Sequence, residues 1–141
     1  MCDMATPAGV RRVVRRRARE RCEYCGSPEE YSVDPFSIEH IIPQARGASD
    51  EADYLALAYQ RCNNGKATAV TALDPRDGVR APLFNPRSDV WEEHYVMNDD
   101  LTLMIGLTPT GRATINRLQL NRDGVVNLRK LLQRVANNDS A

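Results

Sequence analysis

Three short segments decide how this chain folds: Cys22-Glu-Tyr-Cys25, Glu39-His40-Ile-Ile-Pro43 and Tyr59-Gln-Arg-Cys62-Asn63-Asn-Gly-Lys66. Two cysteines separated by two residues are typical of a metal-binding knuckle, and Cys62 can add a third thiolate. Glu39-His40 places a carboxylate beside a side chain that titrates near neutral pH. A thiolate cluster and an acid–base pair that lie so close in sequence indicate a small metal-dependent catalytic centre.

The length of 141 residues predicts a single domain over residues 1–141. The formal net charge is zero, but the charge is unevenly distributed. Seven of the 17 arginines lie between Arg11 and Arg21, where Glu20 is the one acid. Arginine suits bidentate phosphate contacts, so we interpret this segment as a basic phosphate-binding helix rather than a solvated helix face. The candidate phosphate-binding residues are Arg11, Arg12, Arg15, Arg16 and Arg19.

Apolar residues form no stretch long enough to span a membrane, and residues 1–10 lack the apolar segment of a signal peptide. We therefore expect a cytoplasmic location and no membrane partner. In a reducing cytosol the cysteine pair indicates metal binding or redox chemistry before a structural disulfide.

Apolar periodicity and turn residues predict the order of the elements. Val10, Val13, Val14 and Ala18 recur at helical spacing in the basic segment. Thr108-Pro109 is a strong helix start, with a capping hydroxyl followed by proline at the first helical position. The predicted elements are a helix over 7–20, a strand over 36–42, a helix from Gln60 to about Ala69, a loop over 74–87, strands over 90–97 and 101–107, and helices from Thr108 and over 122–135.

His40 is the candidate general base, because it can take a proton from water. Glu39 and Asn63 offer oxygen ligands for a hard divalent cation such as Mg²⁺ or Mn²⁺. Lys66 follows Asn63 by three residues on the same helix face and could hold a phosphate. Each piece has a plainer interpretation: Glu39-His40 as a loop-edge pair on the surface, and Asn63-Asn64-Gly65 as a turn.

Cys22, Cys25 and Cys62 are candidate ligands of a structural Zn²⁺. A second cysteine pair would have its first member at position 59, which is Tyr59, and a phenol is a poor zinc ligand. Three possibilities stay open: three thiolates plus water, a fourth thiolate from Cys2, or a metal-free cluster packed around Tyr59.

Taken together, these segments resemble the HNH endonuclease family between about residues 19 and 67, and the bacterial subgroup with four cysteines in particular. Segments similar to the C-terminal extension of that subgroup extend the resemblance over nearly the whole chain. These segments are Leu83-Phe-Asn-Pro-Arg87, Trp91-Glu-Glu-His94 and Gly106-Leu-Thr-Pro-Thr-Gly-Arg112. The resemblance implies an α+β fold: a basic helix over 8–21, a ββα-metal core over 22–70, and an extension over 71–141 with a β-hairpin and two helices.

Carried over from the family, His40 matches the general base, while Glu39 and Asn63 match the ligands of one divalent metal. The family's middle Asn, which braces the loop behind the base, corresponds to Tyr54. Ser37 stands where close relatives often have His. His94 matches a histidine of the extension that could reach the active site or a DNA phosphate; the plainer interpretation is a half-buried strand residue. The resemblance implies cleavage that leaves 5′-phosphate and 3′-hydroxyl ends.

Two functions compete. The first is a metal-dependent endonuclease acting on DNA, double-stranded by preference. The second is a catalytically decayed HNH scaffold that binds nucleic acid or serves as an adaptor, and the departures at Tyr54 and Tyr59 favour it. A zinc-ribbon interaction module is weaker, since it leaves Glu39, His40 and the basic helix unexplained.

Overall fold

The computed structural model describes residues 7–43 and 51–139, with side chains to residue 138. Within these ranges the chain forms five helices and three two-stranded antiparallel sheets. The α+β fold class is thereby confirmed. No helix in the described ranges has the length and apolarity needed to cross a bilayer.

Helix α1, Ala8–Arg17, carries the basic segment and is shorter than the predicted helix over 7–20. It stops because Arg19 and Glu20 adopt left-handed backbone conformations, with φ of 55° and 56°. Val14 of this helix is fully buried, whereas Val13 is 50% exposed. The buried apolar face of α1 is therefore narrower than the sequence suggests. Arg17 donates to the carbonyl oxygens of Ala52 and Leu55 at 2.7 and 2.9 Å. These bonds dock α1 beside the second strand of the central hairpin.

The central hairpin pairs β1, Ser37–His40, with β2, Leu55–Ala58. Every residue of β2 is buried, which fits a strand enclosed on both faces. Helix α2, Gln60–Lys66, follows directly and packs on β1. The Ser37 hydroxyl donates to Gln60 Oε1 at 2.5 Å and links the start of β1 to this helix. The family resemblance implied this ββα unit, although β1 is shorter than the strand predicted over residues 36–42.

A second hairpin, β3 (Thr71–Leu73) with β4 (Arg80–Pro82), lies partly within the residues predicted to be a loop over 74–87. Asp74 anchors it, because its fully buried carboxylate receives a bidentate contact from Arg112 at 2.8 to 3.2 Å. That contact joins the hairpin to the helix that follows the third sheet.

The third sheet pairs β5, Tyr95–Met97, with β6, Met104–Gly106. The predicted strand over 90–97 was wrong in its first half, because Trp91–His94 forms a helical turn, α3. Helix α4, Pro109–Leu118, starts where predicted, and Thr108 Oγ1 accepts from Gly111 N at 3.0 Å. Helix α5 runs over Asp123–Asp139. At Gly65 a Cβ atom would lie 3.3 Å from Leu118 Cα, so glycine allows α2 and α4 to approach closely.

Candidate active site and cysteine cluster

Glu39 lies in the middle of the fold, with 2% of its surface exposed. Its Oε1 accepts a hydrogen bond from the Tyr24 hydroxyl at 2.5 Å. Burial raises the pKa of Glu39 to about 7, although Lys66 and Tyr24 both act to lower it. Burial also raises the pKa of Tyr24 well above its ordinary value, which keeps its hydroxyl protonated as a donor. The carboxylate is therefore fixed in direction, with one oxygen engaged by Tyr24.

Lys66 occupies a different position from the one we expected. Its side chain is 2% exposed, and Nζ donates to the carbonyl oxygen of Ile41 at 2.8 Å. A buried ammonium of this kind does not fit the direct phosphate contact suggested by the sequence. It instead ties the end of α2 to the residue that follows His40, close enough to Glu39 to lower its pKa.

His40 is the last residue of β1 and pairs with Leu55 across the hairpin. Consecutive strand residues point to opposite faces, so a site shared by Glu39 and His40 would require the strand to end there, as β1 does. Asn63 lies on α2 one turn before Lys66 and is half-buried. Residues three apart on a helix share a face, and Lys66 on that face is bonded to Ile41, the residue that follows β1.

Tyr54 stands at the bracing position of the family. Its side chain is 44% exposed, at the end of a short 3₁₀ turn over Ala52–Tyr54. Its carbonyl oxygen accepts from the backbone N–H of Ile41 at 3.0 Å. Ile41, the residue after His40, is therefore held by the backbone carbonyl of Tyr54. Any residue at position 54 could supply this carbonyl group.

The second cluster consists of Cys22, Cys25 and Cys62, whose sulfur atoms lie within 4.8 Å of one another. All three residues are buried and none forms a disulfide. The backbone N–H groups of Tyr24 and Cys25 both donate to Cys22 Sγ at 3.4 Å. Three converging sulfurs with backbone donors suit a thiophilic ion such as Zn²⁺. Cys2, the other sequence-based candidate, falls outside the described residues.

The thiols do not behave alike. Hydrogen bonds with Cys22 and Cys62 hold the pKa of Cys25 well below its ordinary value. Burial raises the pKa of Cys22 well above its ordinary value. Cys25 is therefore the thiol that ionises most readily. A bound cation would favour deprotonation of the other two thiols as well, because metal ligation requires thiolates.

Tyr59 and Arg122 fill the side of the cluster where the family pattern has its fourth cysteine. The Tyr59 ring packs edge-on against Phe36, with 5.3 Å between ring centroids. The guanidinium carbon of Arg122 lies 5.2 Å from the centre of the Tyr59 ring. Both terminal nitrogens of Arg122 reach Cys62 Sγ, at 3.4 and 3.5 Å. A cation and an aromatic ring therefore stand beside the three sulfurs.

The arginines of α1 differ in what they contact. Arg15 is half-buried and forms an ion pair with Glu29 at 2.5 Å, so part of its charge is already neutralised. Arg12, Arg16 and Arg19 are exposed and line one shallow surface groove with Arg15. Arg11 is half-buried. The three exposed arginines are the members of the predicted set best placed for phosphate contacts.

His94 ends α3 instead of lying within a strand. Its Nδ1 lies 2.6 Å from Thr108 Oγ1, the hydroxyl that caps α4. A cavity of about 430 Å³ is lined by His94 together with Ile41 and Lys66. His94 therefore shares an open space with the residue that follows His40.

Sequence reasoning missed two residues with apparent roles, Tyr24 and Arg122. Tyr24 could have been noticed as a polar aromatic residue inside the cysteine pair. Arg122 carries no local signal, because it reaches Cys62 across 60 residues of sequence.

Comparison with known families supports this layout. Residues 22–68 match the family model described as HNH endonuclease, which confirms the resemblance over that stretch. The match covers the cysteine cluster, the central hairpin and α2, about a third of the chain. Neither the curated proteins nor the solved structures contain a match. The three clustered cysteines fit the four-cysteine subgroup with one ligand position changed.

Proposed function

We propose that this chain, whose residues 22–68 belong to the HNH endonuclease family, is a metal-dependent endonuclease that hydrolyses phosphodiester bonds in DNA. The observation that carries the proposal is the Lys66–Ile41 bond, which joins the helix of Asn63 to the residue that follows Glu39 and His40. A carboxylate and an imidazole from β1 and an amide from α2 would then supply the groups that one-metal hydrolysis requires.

In this proposal Glu39 and Asn63 hold one Mg²⁺ or Mn²⁺ ion. The donor set fits a hard cation, since Glu39 Oε2 and the Asn63 carbonyl offer oxygen and Tyr24 engages the other carboxylate oxygen. When bound, the ion would supply positive charge to the phosphate and to the leaving 3′ oxygen. Tyr24 orients the carboxylate, which is the usual work of a residue behind a metal ligand.

His40 acts as the general base and takes a proton from the water that attacks the phosphorus atom. The 5′-phosphate and 3′-hydroxyl products follow from loss of the 3′ oxygen. His94 serves as an accessory group on the shared cavity, with Thr108 fixing its ring. Its Nε2 is suited to a phosphate oxygen.

The arginines of α1 would hold duplex DNA through its phosphates, which gives affinity without sequence reading. Arg12, Arg16 and Arg19 carry this role, with Arg11 and Arg15 contributing less because they are half-buried. Because α1 docks on the central hairpin through Arg17, bound DNA would lie on the side of the molecule that holds His40.

The second part of the proposal assigns a structural Zn²⁺ to Cys22, Cys25 and Cys62. The short distances among the sulfurs and the two N–H donors to Cys22 support it. The ion would fix the knuckle that carries Tyr24, and through Tyr24 the direction of Glu39.

A decayed scaffold that binds nucleic acid or acts as an adaptor is the second candidate function. The deep burial of Glu39 and its bond to Tyr24 favour it, because a carboxylate so engaged could serve the fold alone. This alternative keeps the basic face of α1 and predicts DNA binding that is indifferent to chelators.

Plasmid nicking separates the two functions. Supercoiled plasmid is incubated with the purified chain in Mg²⁺, Mn²⁺ or EDTA, while a band-shift assay follows binding. The endonuclease proposal predicts relaxed plasmid with either metal and none in EDTA. DNA that shifts but stays supercoiled under every divalent metal would support the decayed scaffold instead.

A further inference from the structure

We infer that Arg122, held in place by Tyr59, is the charge partner of a three-thiolate zinc site and replaces the fourth thiolate of the family pattern. The inference rests on the zinc part of the proposed function and is independent of DNA cleavage. It assigns a role in metal binding to a residue of the C-terminal extension, far from the matched family segment.

The geometry shows a guanidinium held between a ring and a sulfur. Two donors of Arg122 reach Cys62 Sγ, at 3.4 and 3.5 Å, and its guanidinium carbon lies 5.2 Å from the centre of the Tyr59 ring. Phe36 packs edge-on against the same ring and fixes its orientation. The phenol ring, a poor zinc ligand, thus provides a surface on which a cation is positioned.

Charge explains why such a partner is needed. Zinc bound by three thiolates leaves one net negative charge in a buried cluster, and an uncompensated buried charge is costly. The Arg122 guanidinium brings that sum to zero. Hydrogen bonds from a charged donor are also stronger than neutral ones, so the guanidinium stabilises a metal-bound thiolate at Cys62 more than a neutral donor would.

Arginine suits this place better than lysine does. The guanidinium is planar, so it can stack on Tyr59 while two of its nitrogens point at one sulfur. An ammonium group would retain the charge and lose the stacking and the paired donors. Cys62 also lies on α2, whose far end carries Lys66, so the contact sets α2 relative to the start of α5.

Arg122 also has a purely structural contact, which supplies the competing explanation. Its Nη1 lies 3.3 and 3.1 Å from the carbonyl oxygens of Leu118 and Gln119, where α4 ends. If helix capping were its whole role, replacing it would lower thermal stability with and without metal. Zinc affinity would then stay constant.

Zinc affinity of the full chain tests the inference. Each purified protein is titrated with a chromophoric chelator that competes for Zn²⁺, and Co²⁺ substitution reports the number of thiolate ligands through its charge-transfer absorption. The variants are Arg122→Gln, Arg122→Lys and Cys2→Ser. Arg61→Gln is the matched control. Arg61 is exposed, and Arg61 and Arg122 line a second surface groove together with Tyr59.

We expect Arg122→Gln to weaken zinc binding by about 10- to 100-fold, the usual effect of removing a partner of a metal ligand. Arg122→Lys should lose less, and Arg61→Gln and Cys2→Ser should match the wild type. The Co²⁺ absorption per ion should be unchanged in Arg122→Gln, because the three sulfurs are still present. Should Arg122→Gln not fold, a weakened Arg122→Lys supports the inference and a wild-type affinity in Arg122→Lys overturns it.

Wild-type zinc affinity in Arg122→Gln would overturn the inference and leave zinc itself in place. A Co²⁺ absorption that falls in Cys2→Ser would overturn it too, by showing a fourth thiolate. A wild-type chain that retains less than about half an equivalent of zinc overturns it together with the zinc assignment. DNA cleavage measured on the same preparation shows separately whether the endonuclease proposal stands.

Discussion

A tyrosine stands where the family pattern has another residue both beside the cysteine cluster and beside the central hairpin, and the contacts of the two tyrosines differ. At the cluster the Tyr59 ring contacts Phe36 and Arg122, so the replacing side chain itself makes the new contacts. At the hairpin the Tyr54 side chain is exposed, and its carbonyl oxygen holds Ile41. A lost side-chain function can thus be replaced by other side chains or by the backbone, and substitutions distinguish the two cases.

Tyr24 is the direct link between the two regions, and among the substitutions that compare them the loss of its hydroxyl should have the largest effect on metal binding. Tyr24→Phe leaves the cysteine pair intact but takes away the donor to Glu39. We expect Mn²⁺ affinity to fall about 10- to 100-fold, measured by electron paramagnetic resonance titration. Tyr31→Phe is the control, because Tyr31 is exposed. An unchanged Mn²⁺ affinity would show that the Tyr24 hydroxyl does not position Glu39 for metal binding.

The same titration has a predictable pH dependence. Mn²⁺ binds the ionised carboxylate, and burial raises the pKa of Glu39 to about 7, so affinity should increase as pH rises through 7. The Tyr24 bond lowers that pKa, so Tyr24→Phe should move the increase to higher pH. A pH profile that Tyr24→Phe does not move would contradict the link.

Helix α1 packs beside the central hairpin, and its arginines should contribute unequally to DNA binding. Replacing both Arg12 and Arg16 with Gln should reduce the slope of log affinity against log salt by about two, since each phosphate contact adds about 0.9. Arg15→Gln should change the slope less, because Arg15 pairs with Glu29. Fluorescence anisotropy over a salt series measures both. Equal slopes for the wild type and the double variant would show that DNA binds to another surface of the protein.

Tyr54 should give the smallest effect. Tyr54→Asn restores the family residue, but the carbonyl contact to Ile41 is already present, so we expect the nicking rate to change by less than about tenfold. Tyr54→Ala should behave in the same way. A nicking rate that rises strongly in Tyr54→Asn alone would show that the backbone contact is an incomplete substitute and that the hairpin is the weakened region.

Much of the central unit could be predicted from the sequence because its signals are local. The Cys22–Cys25 pair, the strand ending before Pro43 and the Thr108 cap each depend on residues close in the chain. The contacts that complete the site are long-range: Arg122 reaches Cys62, Tyr24 reaches Glu39, and Lys66 reaches Ile41. Local sequence patterns cannot predict which distant residues will contact one another. The burial of Lys66 was missed for that reason.

The misplaced elements are short ones. Strands β3 and β4 have three residues each, too few for an alternating pattern to stand out from a loop rich in proline, glycine and charge. Trp91–His94 was predicted as strand because its neighbours Tyr95–Met97 are strand and apolar. A single helical turn leaves no periodicity to detect.

The central claim is that the departures at Tyr54 and Tyr59 leave a working one-metal nuclease with His40 as its base. Single-turnover plasmid nicking in saturating Mn²⁺, wild type against His40→Ala, tests it most directly. We predict measurable nicking by the wild type and a rate lower by about 10²- to 10⁴-fold in His40→Ala, as expected for loss of a general base. A wild-type chain that does not nick, or a His40→Ala variant that nicks as fast as the wild type, would contradict the claim.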